Sequence, residues 1–220
     1  MADRADLHLV IANKAYSSWS MRPWLAMKAQ GVPFKETVIC LQQPDTAAQI
    51  AKYSAAGKVP VLKHGDVTVW ESLAIMDYLA DTLPSHAWWP EDHAARAMAR
   101  SISAEMHAGF TSVRSSMPMN VRRSIPGRER TPEVDKDIAR IQTIWGAART
   151  QFGDGGPFLF GRFSNADAMY APVVTRFKTY GVTLDAVAQA YADAILEAPA
   201  VKQWYADALA ESWVIEKYEL

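Results

Sequence analysis

Several things are scarce in this sequence, and each shortage closes off a class of protein. Its 220 residues include one cysteine, Cys40, so no intramolecular disulfide can form, and its five scattered histidines have no spacing of the zinc-site kind. Neither sign of charge is in excess. Lys and Arg total 23 against 24 for Asp and Glu, a formal net charge of -1, which removes any whole-chain pull onto phosphate backbones and makes nucleic acid an unexpected partner. Long apolar runs are missing too: nothing approaches the roughly 18 to 20 residues of a membrane span, and "MADRADLHLVIANK" is too interrupted for a signal peptide. No internal repeat or low-complexity stretch stands out. A soluble chain in a reducing, cytoplasmic compartment is expected, with no membrane partner.

What is present is enough apolar material for a core. The composition is 50% hydrophobic and 21% charged, which suits one large domain or two small ones. Leu7 to Ala12 reads as a buried strand. Met21, Trp24, Leu25 and Lys28 then fall at helical spacing, and Gly31 supplies the stop. Because Pro23 lacks an N–H and is tolerated best in a first helical turn, this helix is predicted to begin near Trp19 or Ser20. Val32 to Ile39 reads as a second strand, Pro44 to Ala56 as a weak helix, and "KVPVLKHGDVTVW" as two strands closed by His64-Gly65-Asp66. A helix follows from Ser72 to about Thr82. Residues 1–82 therefore form an α/β unit with one mixed sheet.

Residues 83–90, "LPSHAWWP", read as a linker, and residues 91–220 as an all-helical domain. Its expected elements are a long helix over 91–118, an arginine-rich loop, a helix over 133–152, one opened by a Ser164–Asp167 capping box, and two shorter ones.

The chemistry sits in "AYSSWSMRPWL", Ala15 to Leu25. Ser17 and Ser18 fall just outside the first helical turn, where unpaired N–H groups and the dipole favour an anion. An alkoxide is too basic to form there. A bound thiol, with a free pKa of about 8.5, is close enough to neutrality for a hydroxyl and a helix terminus to make it a thiolate. Taken locally, a serine before a helix is most often only a cap.

Three motifs together resemble the thioredoxin-like domain of cytosolic glutathione transferases: "SSWSMR" at Ser17 to Arg22, "VP" at Val59-Pro60, and "ES" at Glu71-Ser72. An all-helical second domain completes that family's fold, so the resemblance covers essentially the whole chain. It implies glutathione as co-substrate, with Ser17 or Ser18 at the sulfur. Val59 and Pro60 would form a cis-proline site for the cysteinyl backbone, Glu71 and Ser72 would take the γ-glutamyl group, and Lys58 would lie near the glycine carboxylate. It also implies a homodimer, and a hydrophobic electrophile against Met106, Phe110 and Val113. The serine cluster resembles the zeta-class "SSC" motif, but Trp19 stands in place of its cysteine. Conjugation, a zeta-like isomerase or dehalogenase acting on small acids, and a non-catalytic module of transferase-like fold all remain open.

Overall fold

The computed structural model describes residues 6–219; the outermost ends of the two expected domains, 1–5 and 220, lie outside the described residues. A mixed sheet of four strands has the order β2-β1-β3-β4: β1 is Leu7–Ala12, β2 Lys35–Ile39, β3 Val61–His64 and β4 Val67–Trp70. β1 runs parallel to β2 and antiparallel to β3, with Val10 facing both Thr37 and Val61. β3 and β4 form the expected hairpin around Gly65, whose φ of 57° suits a glycine at that turn. The second strand is shorter than the sequence suggests. Pro33 has no N–H to give to a ladder, and Val32 donates instead to the Met27 carbonyl at 3.0 Å, closing the preceding helix.

That helix, α1, runs from Ser18 to Ala29, one residue earlier than Pro23 leads one to expect. Ser17 is extended and serves as N-cap, accepting from the Ser20 N–H, and Pro23 is carried inside the helix. Almost every α1 side chain from Ser18 to Met27 is buried, so this helix has no watery face. α2, Thr46–Ala51, is short, and α3 spans Ser72–Thr82.

Residues 83–90 are pinned on both sides. Trp88 is buried, its indole N–H donates to the Leu83 carbonyl at 2.9 Å, and its own carbonyl accepts from Asn165 N–H at 2.8 Å. The long helix expected over 91–118 is broken in two: α4, His93–Ala108, and α5, Thr111–Ser116. Gly109 is extended and Phe110 sits at φ 54°, which stops α4, and the Val113 N–H then finds the Asp137 carboxylate at 3.1 Å. α6, Pro132–Phe152, α7, Asn165–Tyr180, α8, Ala186–Glu197, and α9, Pro199–Ala210, complete the helical part.

α7 is its axis, buried over nearly its whole length and opened by the capping box between Ser164 and Asp167. It packs against α1, as does α9. Beyond α9 the chain turns back and ends in a 3₁₀ turn at Glu216–Tyr218, where Arg122 holds the carbonyls of Ala208, Glu211 and Trp213. Among the described residues no helix is long and apolar enough to cross a membrane.

Candidate functional site

The loop from β1 into α1 is fixed from the opposite end of the chain. Glu211 accepts the backbone N–H groups of Lys14 and Ala15 at 2.6 and 3.1 Å, and the Trp204 indole donates to the Lys14 carbonyl at 3.0 Å. Ser17 emerges from this clamp at the meeting point of two cavities.

The first cavity, about 630 Å³, is bordered by Ser17, Lys58, Val59, Pro60 and Glu71. The Val59–Pro60 peptide is cis, and the Val59 backbone makes no hydrogen bond to the rest of the described chain. Glu71 is the N-cap of α3 at φ 67° and its side chain caps nothing, so α3 begins next to this cavity-lining residue with no side-chain acceptor from its own N-cap. Ser72 is placed differently from its neighbour. It is wholly buried, its hydroxyl accepts from Arg22 Nη1 at 3.4 Å, and it lines neither this cavity nor the second. Lys58 is exposed at the rim. His107, at the end of α4, shares this cavity; its Nε2 lies 3.8 Å from the Glu71 carboxylate and its ring stands edge-on to Trp19. Burial, then Arg22, pushes the His107 imidazole below its ordinary value.

The second cavity, about 570 Å³, takes Ser18, together with Tyr16, Met119 and Tyr218. Arg114, Arg128, Arg176 and Lys217 border it, and none of its lining residues among those described is acidic. Arg176 is buried, and among the described residues no carboxylate pairs with it. It donates to the Met117 and Pro172 carbonyls at 2.8 and 3.2 Å and to the Ser18 hydroxyl at 3.1 Å. Tyr16 turns its hydroxyl to Glu219 at 2.5 Å, so its proton is already spoken for.

Four residues, Ser17, Trp19, Leu41 and Arg114, border both cavities. The Trp19 ring has the Arg22 and Arg114 guanidinium carbons 4.3 and 4.8 Å from its centroid. Among the described residues Arg22 makes no ion pair; it stacks on Trp19 and donates to Ser72. Desolvation lowers Arg22 to about 9, helped by repulsion from Arg176 and Arg114, and lowers Arg176 to about 10. Three guanidiniums thus converge on the serines with Glu71 as the nearby counter-charge, an environment that favours a bound anion.

Met106, Phe110 and Val113, expected as the wall of an electrophile pocket, line neither cavity. All three are buried in the core, Met106 within α4 and Phe110 and Val113 after the break at Gly109, and Thr111, Arg114 and Ser115 form the wall in their place. Cys40 is half-buried, with the Asn13 amide 3.4 Å from its sulfur. No group of metal-ligating side chains forms among the described residues. Sequence reasoning missed His107, Arg114, Arg176 and Lys217, which lie far apart along the chain; Arg128 belongs to an arginine-rich loop that reads as solvated.

Residues 16–82 match the family model of the glutathione S-transferase N-terminal domain and residues 131–207 that of the glutathione S-transferase C-terminal domain. The chain is 26% identical to glutathione S-transferase L3 of Arabidopsis thaliana over 162 residues, 73% of this chain and 63% of that protein, so it spans less than two thirds of that relative. A glutathione transferase homolog from Burkholderia gl BGR1, solved with bound glutathione, shares the fold at TM-score 0.70 and 21% identity, covering 93% of this chain and 99% of that one. The holo structure of a maleyl pyruvate isomerase, a bacterial zeta-class glutathione S-transferase, also superposes at TM-score 0.70, with 19% identity over 94% of this chain and all of that one. With both domain models matched and a thioredoxin-like sheet set against a helical second half, the chain belongs to the glutathione S-transferase family.

Proposed function

We propose that the chain is a glutathione transferase whose second substrate is an electrophile bearing a carboxylate. The observation that carries this reading is the union of the two cavities at Ser17. The first offers the free Val59 backbone, the open end of α3 and the Glu71 carboxylate, which fit the peptide, the α-carboxylate and the ammonium of glutathione. The second offers four cationic side chains and, among the described residues, no acidic one, which fit a carboxylate better than a purely apolar molecule.

In the reaction, Ser17 donates to the glutathione sulfur, and the converging guanidiniums favour the thiolate over the thiol, whose proton passes to solvent. The thiolate attacks an electrophilic carbon held in the second cavity. An S–C bond forms as a leaving group departs with its electron pair. In addition to an activated double bond, Arg114 meets the negative charge that develops. Arg176 and Ser18 hold the substrate carboxylate away from the sulfur.

A zeta-like isomerisation of a small acid uses the same contacts and is favoured by the same basic cavity; the tryptophan at Trp19 in place of a zeta-type cysteine weighs against it. A homodimer belongs to the same proposal as the family's implication.

Calorimetric titration with glutathione, S-hexylglutathione and S-(carboxypropyl)glutathione tests the reading. Saturable binding, tightest for the carboxylated conjugate, is expected. Tightest binding of the hexyl conjugate would keep the transferase and remove the acidic electrophile. No binding to any of the three would favour the non-catalytic module.

A further inference from the structure

Ser20, in the first turn of α1, is wholly buried and touches neither cavity. Its Oγ accepts the backbone N–H of Ala12, the last residue of β1, at 3.0 Å, and lies 2.9 Å from the Oγ of Ser17. A hydroxyl has one proton to give and two lone pairs to fill. With Ala12 on one lone pair of Ser20, the direction of the Ser17–Ser20 bond decides where both protons go.

If Ser17 donates, its proton is spent inside the helix and the Ser20 proton is left buried without an acceptor. The usual escape, a bond to the carbonyl four residues back, is made by Ser101 and Ser103 at 2.9 and 2.7 Å but not by Ser20. If Ser20 donates, each buried group is paired and the Ser17 proton is free to face the first cavity. The second arrangement is the one that leaves no buried donor unmade.

We propose that Ser20 is a positioning residue for the thiol site. The Ala12 N–H, the Ser20 hydroxyl and the Ser17 hydroxyl form a one-way chain of donors that ends on the glutathione sulfur, and each bond polarises the next. The sheet, through the end of β1, thereby fixes the polarity of the hydroxyl at the tip of the helix. This rests on the reading of the first cavity as a glutathione site. The charged groups on the two cavities that meet at Ser17 are Lys58 before β3, Glu71 at the start of α3, His107 on α4, Arg114 on α5, Arg128 in the loop before α6, Arg176 on α7 and Lys217 in the tail, with Arg22 of α1 packed behind Trp19. They stay the same across the variants below, so their field cancels in the comparison.

The test is the pKa of the bound glutathione thiol, read as thiolate absorbance against pH, in the parent, Ser17→Ala, Ser20→Ala and the double variant. Binding of S-methylglutathione, which has no thiol proton, reports that the site is folded. Ser17→Ala should raise the thiol pKa by about one unit, and Ser20→Ala by about half a unit. The double variant should match Ser17→Ala alone, because Ser20 acts only through Ser17. Ser20→Thr, which keeps the hydroxyl, should restore the parent value. Additive shifts in the double variant, or a Ser20→Ala titration equal to the parent's, would overturn the relay and leave the glutathione site standing. An unshifted Ser17→Ala would remove both the relay and the assignment of Ser17 to the sulfur.

Discussion

Arg176 Nη2 donates to Ser18 Oγ at 3.1 Å, a hydrogen bond that joins the middle of the most buried helix of the second half to the first residue of α1. Among the described residues the guanidinium gains no carboxylate in return for its burial, so it is held charged at a cost that a bound anion relieves. Arg176→Met should lower kcat/KM for a carboxylate-bearing electrophile at least ten-fold while leaving glutathione affinity within about two-fold. Its stability should move by only about 1 kcal/mol, since relief of desolvation offsets the orphaned Met117 carbonyl. Steady-state kinetics with both substrates varied separates the two effects; an equal loss for neutral and anionic electrophiles would remove the carboxylate contact.

Glu211 should matter for folding and for the site together. Its carboxylate holds two amides of the β1–α1 loop, so Glu211→Ala leaves both without their acceptor and should cost about 2 kcal/mol in urea unfolding. Glutathione affinity should fall with it, because the same loop carries Ser17. Full stability in the variant would show that water replaces the carboxylate.

Asp167 gives a pH signature. Burial raises its carboxyl to about 6 against an ordinary 3.8, even though Leu159, Ser164 and Tyr191 pull it down. Between those values the folded state binds more protons than the unfolded one, so this group's contribution grows as pH falls from above 6 toward 3.8 and is lost as pH rises through 6. Relative to Asp167→Asn, which does not titrate, the parent should gain stability between pH 7 and pH 5. Denaturant midpoints of the two proteins at both pH values check it; parallel pH profiles would contradict the raised value.

His107 shifts in the other direction. Burial and the Arg22 charge hold it below 6.5, with Glu71 opposing them, so the unfolded state binds the proton first. Its contribution to stability is present above 6.5 and is lost as pH falls through the lower folded value. The ring resonances should titrate below 6.5 by NMR, and lower still in Glu71→Gln. A midpoint that rises in that variant would mean that the 3.8 Å contact does not couple the pair.

What the sequence reveals is what periodicity and turn chemistry encode. β1, the hairpin at Gly65, α3 and the Ser164 capping box all stand where local patterning places them, and the three short motifs lead to the right family. Boundaries move where a single bond outweighs propensity: the Ser17 cap starts α1 early in spite of Pro23, and Gly109 with Phe110 cuts the expected long helix. The first cavity is legible because Lys58 to Pro60 and Glu71 each lie in a contiguous motif. The second is not. Arg114, Arg128, Arg176 and Lys217 come together only through the packing of α5, α7 and the returning tail, and no spacing along the chain foretells that meeting.

The burial of α1 on all sides bears on how such proteins can be taken apart. Trp24 of α1 and Trp204 of α9 stand edge to face with ring centroids 5.2 Å apart, and the Lys14 ammonium lies over both. A helix sealed between the sheet and the second half has no stable surface of its own to present once either partner is removed. The two halves are therefore not exchangeable modules: grafting a foreign helical half onto this sheet means redesigning α1, and with it the serines at its tip.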